Sequence, residues 1–366
     1  MRLADTPNIQ NLERIRGLVD PSDDPRRGAT WHYWTGFLHS LTGQRPDLAI
    51  EHCREAAKLA IVAGLDEIKA SAEACLAQAF VVAGRLHEAV EAGETALSSF
   101  EARGNFWWAG RTLWILSLAA NALGEWEASL GYCRRALDYG IALKDLRLKA
   151  VGWLRLGTAY IQQGDFEHGL ECCNEALALA PIPYDAAMAQ AALGFANFKT
   201  GRAETGIEDL TKAIAWFERF HLSYTHLRFA LWLAEAHLCR GDRTSARPLI
   251  ENILNTSRQT GYLHLEGVAL WLMADCLSTE APGTAAAYVE TALQVLDQVG
   301  ARNDLAKAMV TKAALRRTAE DFVTARELLN QAHAIFKALG TRGEPVRVKA
   351  ALVALDQAGI NCVSAA

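Results

Sequence analysis

The chain has 366 residues, 51% of them apolar and only nine of them proline, which is ample material for a large core. A net charge of −5, spread along the chain, gives no electrostatic footprint for nucleic acid or an anionic membrane surface, and so argues against DNA or RNA as the main partner. Apolar runs long enough to cross a bilayer are absent. The first twenty residues lack the apolar stretch of a signal peptide, so a cytoplasmic protein is expected, its eight cysteines read as reduced thiols because none fall in C-x-x-C pairs.

In chain order, residues 1–27 hold a short helical candidate over 8–19 and the segment PSDDPRR, together read as an N-terminal cap or linker. Thereafter one pattern repeats over 28–343: a helix of about fifteen residues, a tight turn, a second helix and a polar loop. Eight such pairs are predicted. Their turns sit at Gly43, Gly84, Gly124, Gly164, Gly201 and Gly241, then near Glu280 and Glu320, which sets a period of about forty residues. A second set of glycines, Gly64, Gly104, Gly140, Gly261, Gly300 and Gly340, is placed to close the second helices in a left-handed conformation.

Length alone suggests two or three globular domains, but a repeat array grows without new domains. With each turn residue numbered 15, positions 8, 20 and 27 of every unit hold Gly, Ala or Ser, except for Met273 and Ile253. Missing side chains there let paired helices approach by ridges into grooves. In the same register Cys53, Cys133 and Cys173 share one position that holds Leu210, Ile250, Val289 and Leu329 in the later units, so they are read as small core hydrophobes. Residues 344–366 are predicted to form a capping helix, over 345–358, and a frayed tail.

One unit carries a recognisable signature. In AVGWLRLGTAYIQQGDFEHGLECCNEALALAP, Trp153, Leu156, Gly157 and Tyr160 give W-x-x-L-G-x-x-Y, with Ala176 and Pro181 at the matching distances. This stretch resembles a tetratricopeptide repeat, apart from Gly169 and Cys173, where that family usually has Ala and a large apolar residue. The resemblance implies an all-α, right-handed superhelix, a solenoid of about eight helix pairs plus capping helices, in which Trp153 is a core residue. A period longer than about thirty-four residues is similar to the repeats of kinesin light chains and of large bacterial signalling proteins.

The family lines its concave groove with the first helix of each pair. Carried over position by position, that places Tyr33, Trp34, Phe37, Trp114, Phe195, Phe198, Trp232 and Trp271 in the groove, with Arg111, Arg155, Lys199, Arg228, Lys307 and Arg317 beside them. An aromatic groove edged with positive charge suits an amphipathic helix or an extended segment carrying acidic residues. The alternative is that long repeats coil tightly and bury these rings between units. Family members that grip chaperone tails need Lys and Asn where this chain has Tyr33, Phe37, Ala74 and Gln78, so that partner is not supported.

Phosphate-binding glycine loops, nucleophile elbows and zinc-protease motifs are absent, and His221, His226, His237 and Cys239 lack the spacing of a metal site. The sequence therefore predicts a non-enzymatic protein–protein interaction scaffold without cofactor or metal, able to self-associate through its terminal units. A second reading is a small-molecule sensor, since arrays of this period resemble the sensor regions of bacterial ATP-dependent transcription activators and of some adenylate cyclases.

Overall fold

The computed structural model describes residues 11, 12, 14 and 24–364, and among them seventeen helices and no strand. The pairs are α1 (Pro25–Thr42) with α2 (Pro46–Ala63), α3 (Asp66–Ala83) with α4 (Leu86–Ala102), α5 (Phe106–Leu123) with α6 (Trp126–Ala142), and α7 (Leu146–Gln163) with α8 (Phe166–Leu179). They continue as α9 (Pro183–Lys199) with α10 (Ala203–Arg219), α11 (Ser223–Cys239) with α12 (Arg243–Thr260), α13 (Leu263–Leu277) with α14 (Pro282–Gln298), and α15 (Arg302–Thr318) with α16 (Phe322–Leu339). A single helix, α17 (Glu344–Ser364), follows. It runs six residues past the predicted end at 358, through GINCVS, a stretch without proline in which Gly359 is carried inside the helix. The N-terminal helix expected over 8–19 lies mostly outside the described residues; Asn11, Leu12 and Arg14 are helical, and Trp31 Nε1 donates to the Leu12 carbonyl oxygen at 2.9 Å.

Sequence pattern explains the two layers. First helices such as α5 and α13 are apolar on nearly every side and bury most of their residues, as a helix covered by neighbours on both flanks must. Second helices such as α10 are amphipathic and bury only a stripe, Gly206, Leu210, Ala213, Ile214 and Phe217. The first helices therefore form the inner wall and the second helices the outer one. Among the described residues, no helix is long and apolar enough to cross a membrane.

The small-residue positions are where paired helices touch. A Cβ added at Gly157 would lie 2.5 Å from Cys173 Sγ, and one at Gly206 would lie 2.5 Å from the Gly194 carbonyl oxygen. In the third unit Ser129 Oγ donates across the same joint to the Ser117 carbonyl oxygen at 3.0 Å. Cys53, Cys133 and Cys173 are wholly buried in this layer. One predicted closure is placed differently: Gly140 lies inside α6, where a Cβ would meet Lys149 N at 2.8 Å, and Lys144 two residues past the helix takes the left-handed conformation (φ 53°). His221 (φ 53°) and Glu320 (φ 60°) do the same, in positions where glycine is the unstrained residue.

Coiling brings distant units into contact. The turn of each of the first four pairs abuts the segment that opens the unit five further on. Gln44 Nε2 donates to the His221 carbonyl oxygen (3.4 Å), Gln163 Nε2 to that of Gly340 (3.3 Å), and Arg342 pairs with Asp165 (2.5 Å); each pair is separated by 177 residues. Between them, Tyr262 OH donates to the Gly43 carbonyl oxygen (2.5 Å), and Trp126 Nε1 donates to Thr341 Oγ1 (3.0 Å), which donates to Asn303 Oδ1 (2.9 Å). Gly84 and Gly164 need a hydrogen side chain twice over: each has positive φ, and a Cβ would meet His264 N at 2.8 Å or the Arg342 carbonyl oxygen at 2.5 Å. The turns at Gly201 and Gly241 have nothing within 4 Å and mark the coil's free edge. Successive coils thus touch along this edge, and the groove becomes a partly closed lumen.

Candidate functional site

Three adjoining cavities of about 650, 310 and 100 Å³ occupy the lumen, and Leu118 of α5 faces all of them. The largest is walled by α1, α5, α7, α9 and the end of α10, and Leu41 and Phe220, which are exposed, stand at its mouth. Its walls are mainly aromatic and aliphatic: Phe37, Trp107, Trp114, Val151, Met188, Trp216. The 310 Å³ cavity lies towards the C-terminus among α9, α11, α13, α15 and the start of α17. The smallest sits against the inter-coil seam at Gly43 and Tyr224.

Eight of the eleven residues singled out for partner contact face these spaces. Phe37, Trp114 and Arg155 face the largest cavity, and Phe195, Lys199, Trp232 and Trp271 the C-terminal one. Arg228 reaches both the C-terminal and the smallest cavity. Three do not. Tyr33 turns into the core of the first unit against Cys53 and Cys75, where burial pushes its phenol pKa up. Trp34 is 46% exposed and packs edge-on against Phe37. Phe198 is half-buried against the outer helix α10, where a Cβ on Gly206 would come within 2.9 Å of its own. Among the basic residues, Arg111 and Lys307 face the lumen, whereas Arg317 is exposed.

Several lining residues were not singled out by the repeat positions: Trp107, Arg147, Tyr184, Asp185, Trp216 and Tyr224. Arg147, Tyr184, Asp185 and Tyr224 come from the first turns of α7, α9 and α11, ahead of the groove positions. Trp216 comes from an outer helix. The signal available in the sequence was the clustering of Tyr, Arg and Asp at those first turns, but its meaning depends on the coil closing over them.

Electrostatically the lumen has two halves. In the C-terminal half the cations other than Arg228, which stands at its border, have carboxylates: Lys199 Nζ is 2.5 Å from Glu235 Oε1, Lys307 Nζ 3.6 Å from Asp304 Oδ1, Arg347 Nη1 3.0 Å from Glu344 Oε1, with His264 Nε2 2.9 Å from Asp304 Oδ2. Burial pushes the Glu235 and Asp304 carboxyls up, but the Lys199 and Lys307 charges, with the His264 hydrogen bond on Asp304, outweigh it and leave both below the usual range.

In the N-terminal half four arginines face one aspartate. Arg147 Nε takes Asp185 Oδ2 at 3.2 Å. Arg111 is held between the Phe37 and Trp108 rings, its Cζ at 5.1 and 4.9 Å from their centroids. Arg155 and Arg228 have no carboxylate partner: Nε and Nη1 of Arg155 and Nε of Arg228 are buried without a protein hydrogen-bond partner. The two arginines line the smallest cavity together with the Tyr184 and Tyr224 side chains, and Arg228 also lies over the Phe229 ring at 4.8 Å. Burial, and then the like charge of Arg228, bring the Arg155 guanidinium down to about 10; burial lowers Arg228 and Arg111. All remain cationic at neutral pH. The site can therefore hold an anionic group next to an aromatic surface.

The sequence model of the tetratricopeptide repeat family matches residues 150–182. Among solved structures, a Rap protein complexed with competence and sporulation factor is similar over 91% of this chain and 92% of that one, with a TM-score of 0.66 at 12% identity. NprR in complex with its cognate peptide NprX is similar over 80% of this chain and 82% of that one (TM-score 0.64, 14% identity). The Rap conjugation gene regulator of plasmid pLS20, in complex with the Phr* peptide, is similar over 86% and 96% (TM-score 0.59, 14% identity). A comparison with curated protein sequences finds no significant match. At these identities the likeness establishes the fold.

Proposed function

Since the chain is a tetratricopeptide-repeat protein, we propose that it is a non-enzymatic binding module that encloses an extended peptide segment of another protein in its lumen. The observation that carries this reading is the lumen itself: an aromatic chamber of about 650 Å³, bounded laterally by the coil-to-coil seam and continuous in its walls with two smaller spaces. That size lies in the range of specific ligand sites, about 300–1,000 Å³. Structures of the same architecture were solved with peptides bound, which supports the reading at the level of fold. Selection of a random linear-peptide library against the folded full chain tests it. Enriched peptides should lose binding to a Trp114→Ala, Trp216→Ala variant; absence of enrichment over an unrelated helical protein would overturn the proposal.

The same volume would also admit a small-molecule effector, the second reading. Trp107, Trp114 and Trp216 line the chamber, so a titration with sugars and nucleotides that shifts intrinsic tryptophan fluorescence, with no peptide selected, would favour the sensor.

A further inference from the structure

We infer that the ligand of the lumen carries a carboxylate that is received by Arg155 and Arg228, which share the smallest cavity where it adjoins the N-terminal chamber, beside an apolar side chain that lies on that chamber's tryptophan wall. This inference rests on the peptide-binding reading and adds the chemistry of the anchoring group.

The two arginines come from α7 and α11, on helices that are far apart in sequence and brought to one side of the lumen by the coil. A structural arginine in a protein interior finds a carboxylate or carbonyl, because an unpaired buried charge costs several kcal/mol. This chain supplies such partners a short distance away: Lys199 has Glu235 and Lys307 has Asp304. It pairs neither Arg155 nor Arg228 in this way: Asp185 feels the Arg155 charge but is hydrogen-bonded to Arg147. The one carboxylate in the chamber, Asp185, is taken on Oδ2 by Arg147. Water in the lumen could hydrate the guanidiniums but would leave their charges uncompensated, and two like charges held within reach of each other raise the cost.

A guanidinium presents a planar fork of N–H donors that matches a carboxylate in a bidentate fashion. Tyr184 and Tyr224 line the same small cavity as both arginines. Trp114 brings a third kind of donor, its Nε1 being buried with no partner. Donors therefore outnumber acceptors here: the chamber's one carboxylate oxygen left without a partner is Asp185 Oδ1. Met188, Trp107 and Trp216 in the same chamber are suited to the remainder of the residue that bears the acid. On a peptide, that group is either the terminal α-carboxylate of an apolar residue or the side chain of Asp or Glu next to one.

Three probes separate these cases on the full chain by saturation-transfer NMR: N-acetyl-phenylalanine, N-acetyl-aspartyl-phenylalanine amide and N-acetyl-phenylalanine amide. The acids should bind about tenfold or more tightly than the neutral amide, the return of a charge-assisted hydrogen-bonded pair. Preference for the first acid assigns a chain terminus, and for the second an internal acidic residue. Arg155→Met with Arg228→Met should bring both acids to the amide's level and raise the melting temperature of the empty protein, whereas arginines that brace the fold would lower it. Equal binding of acids and amide by the unmodified chain overturns the inference without any variant, as does stronger competition by inorganic phosphate than by acetate. If the library selection yields peptides that bind alike as free acids and as amides, with no acidic residue, the peptide reading stands and this inference falls. If it yields none while N-acetyl-phenylalanine binds through the two arginines, the anion site stands and the ligand is a small carboxylic acid.

Discussion

Lys199 and Lys307, in the C-terminal half of the lumen, each meet a carboxylate of the chain itself, while Arg155 and Arg228, in the N-terminal half, meet tyrosines and each other. Both sets sit on first helices, at comparable depth, in walls of similar aromatic content. Burial is therefore not what separates them. The C-terminal half is electrostatically complete and braces the coil, with His264 and Asp304 bridging α13 and α15. The N-terminal half is left incomplete, and the difference locates the place where binding would supply what the fold omits.

Substitution should expose the contrast most directly. Glu235→Ala strips the partner from Lys199 in a pair whose side chains are each 17% exposed, and should destabilise the protein by about 3–5 kcal/mol. Arg228→Met should move stability in the opposite direction, by about 1–3 kcal/mol, because it removes an unsatisfied charge and keeps the volume. Chemical denaturation of the two variants gives both values, and a loss of stability in Arg228→Met would erase the distinction between the halves.

Acid should act on the complete half first. Glu235 and Asp304 have folded-state pKa values below their usual range, so their contribution is fully present above about pH 4–5 and is lost as pH falls through the lowered values. Melting temperature should drop below about pH 4. A Glu235→Gln, Asp304→Asn protein should be less stable at neutral pH and show a flatter profile; an unchanged profile would show that other carboxylates govern the acid limb. The smallest effect concerns the frame that both halves share. Glu320 holds a left-handed conformation (φ 60°) between α15 and α16, and Glu320→Gly should raise stability by up to about 1 kcal/mol, the relief of strain less the added backbone entropy. Thermal unfolding measures it.

Much of this frame was legible in the residues. Turn glycines and the small residues at the helix joints are local requirements, so a single unit such as residues 150–181 states them in full. Gly140 shows the limit of that logic: glycine both closes helices and lets helices touch, and only the position of Leu148 and Lys149 against it decides which. For the lumen, Arg155, Arg228, Trp114 and Trp232 followed from the repeat register. Tyr184, Asp185 and Trp216 did not, since they reach the chamber through the coil's pitch, a rotation that accumulates over five units and is written in no one of them. Tyr33 and Trp34 were displaced as well. Tyr33 fills the core of the first unit with Cys53 and Cys75, and Trp34, the next residue along the helix, is left at the surface.

The seam between coils also bears on how the protein can fold and vary. In an open array each repeat answers only to its neighbours, so stability grows by increments and units can be gained or lost. Here Gly43, Gly84, Gly124 and Gly164 each answer to a segment near Tyr224, His264, Asn303 and Arg342. Removing one unit between them would shift every later contact along the seam by a whole repeat. The number of repeats between contacting segments is thus held by the seam, and the chain should melt as one cooperative body rather than from its ends.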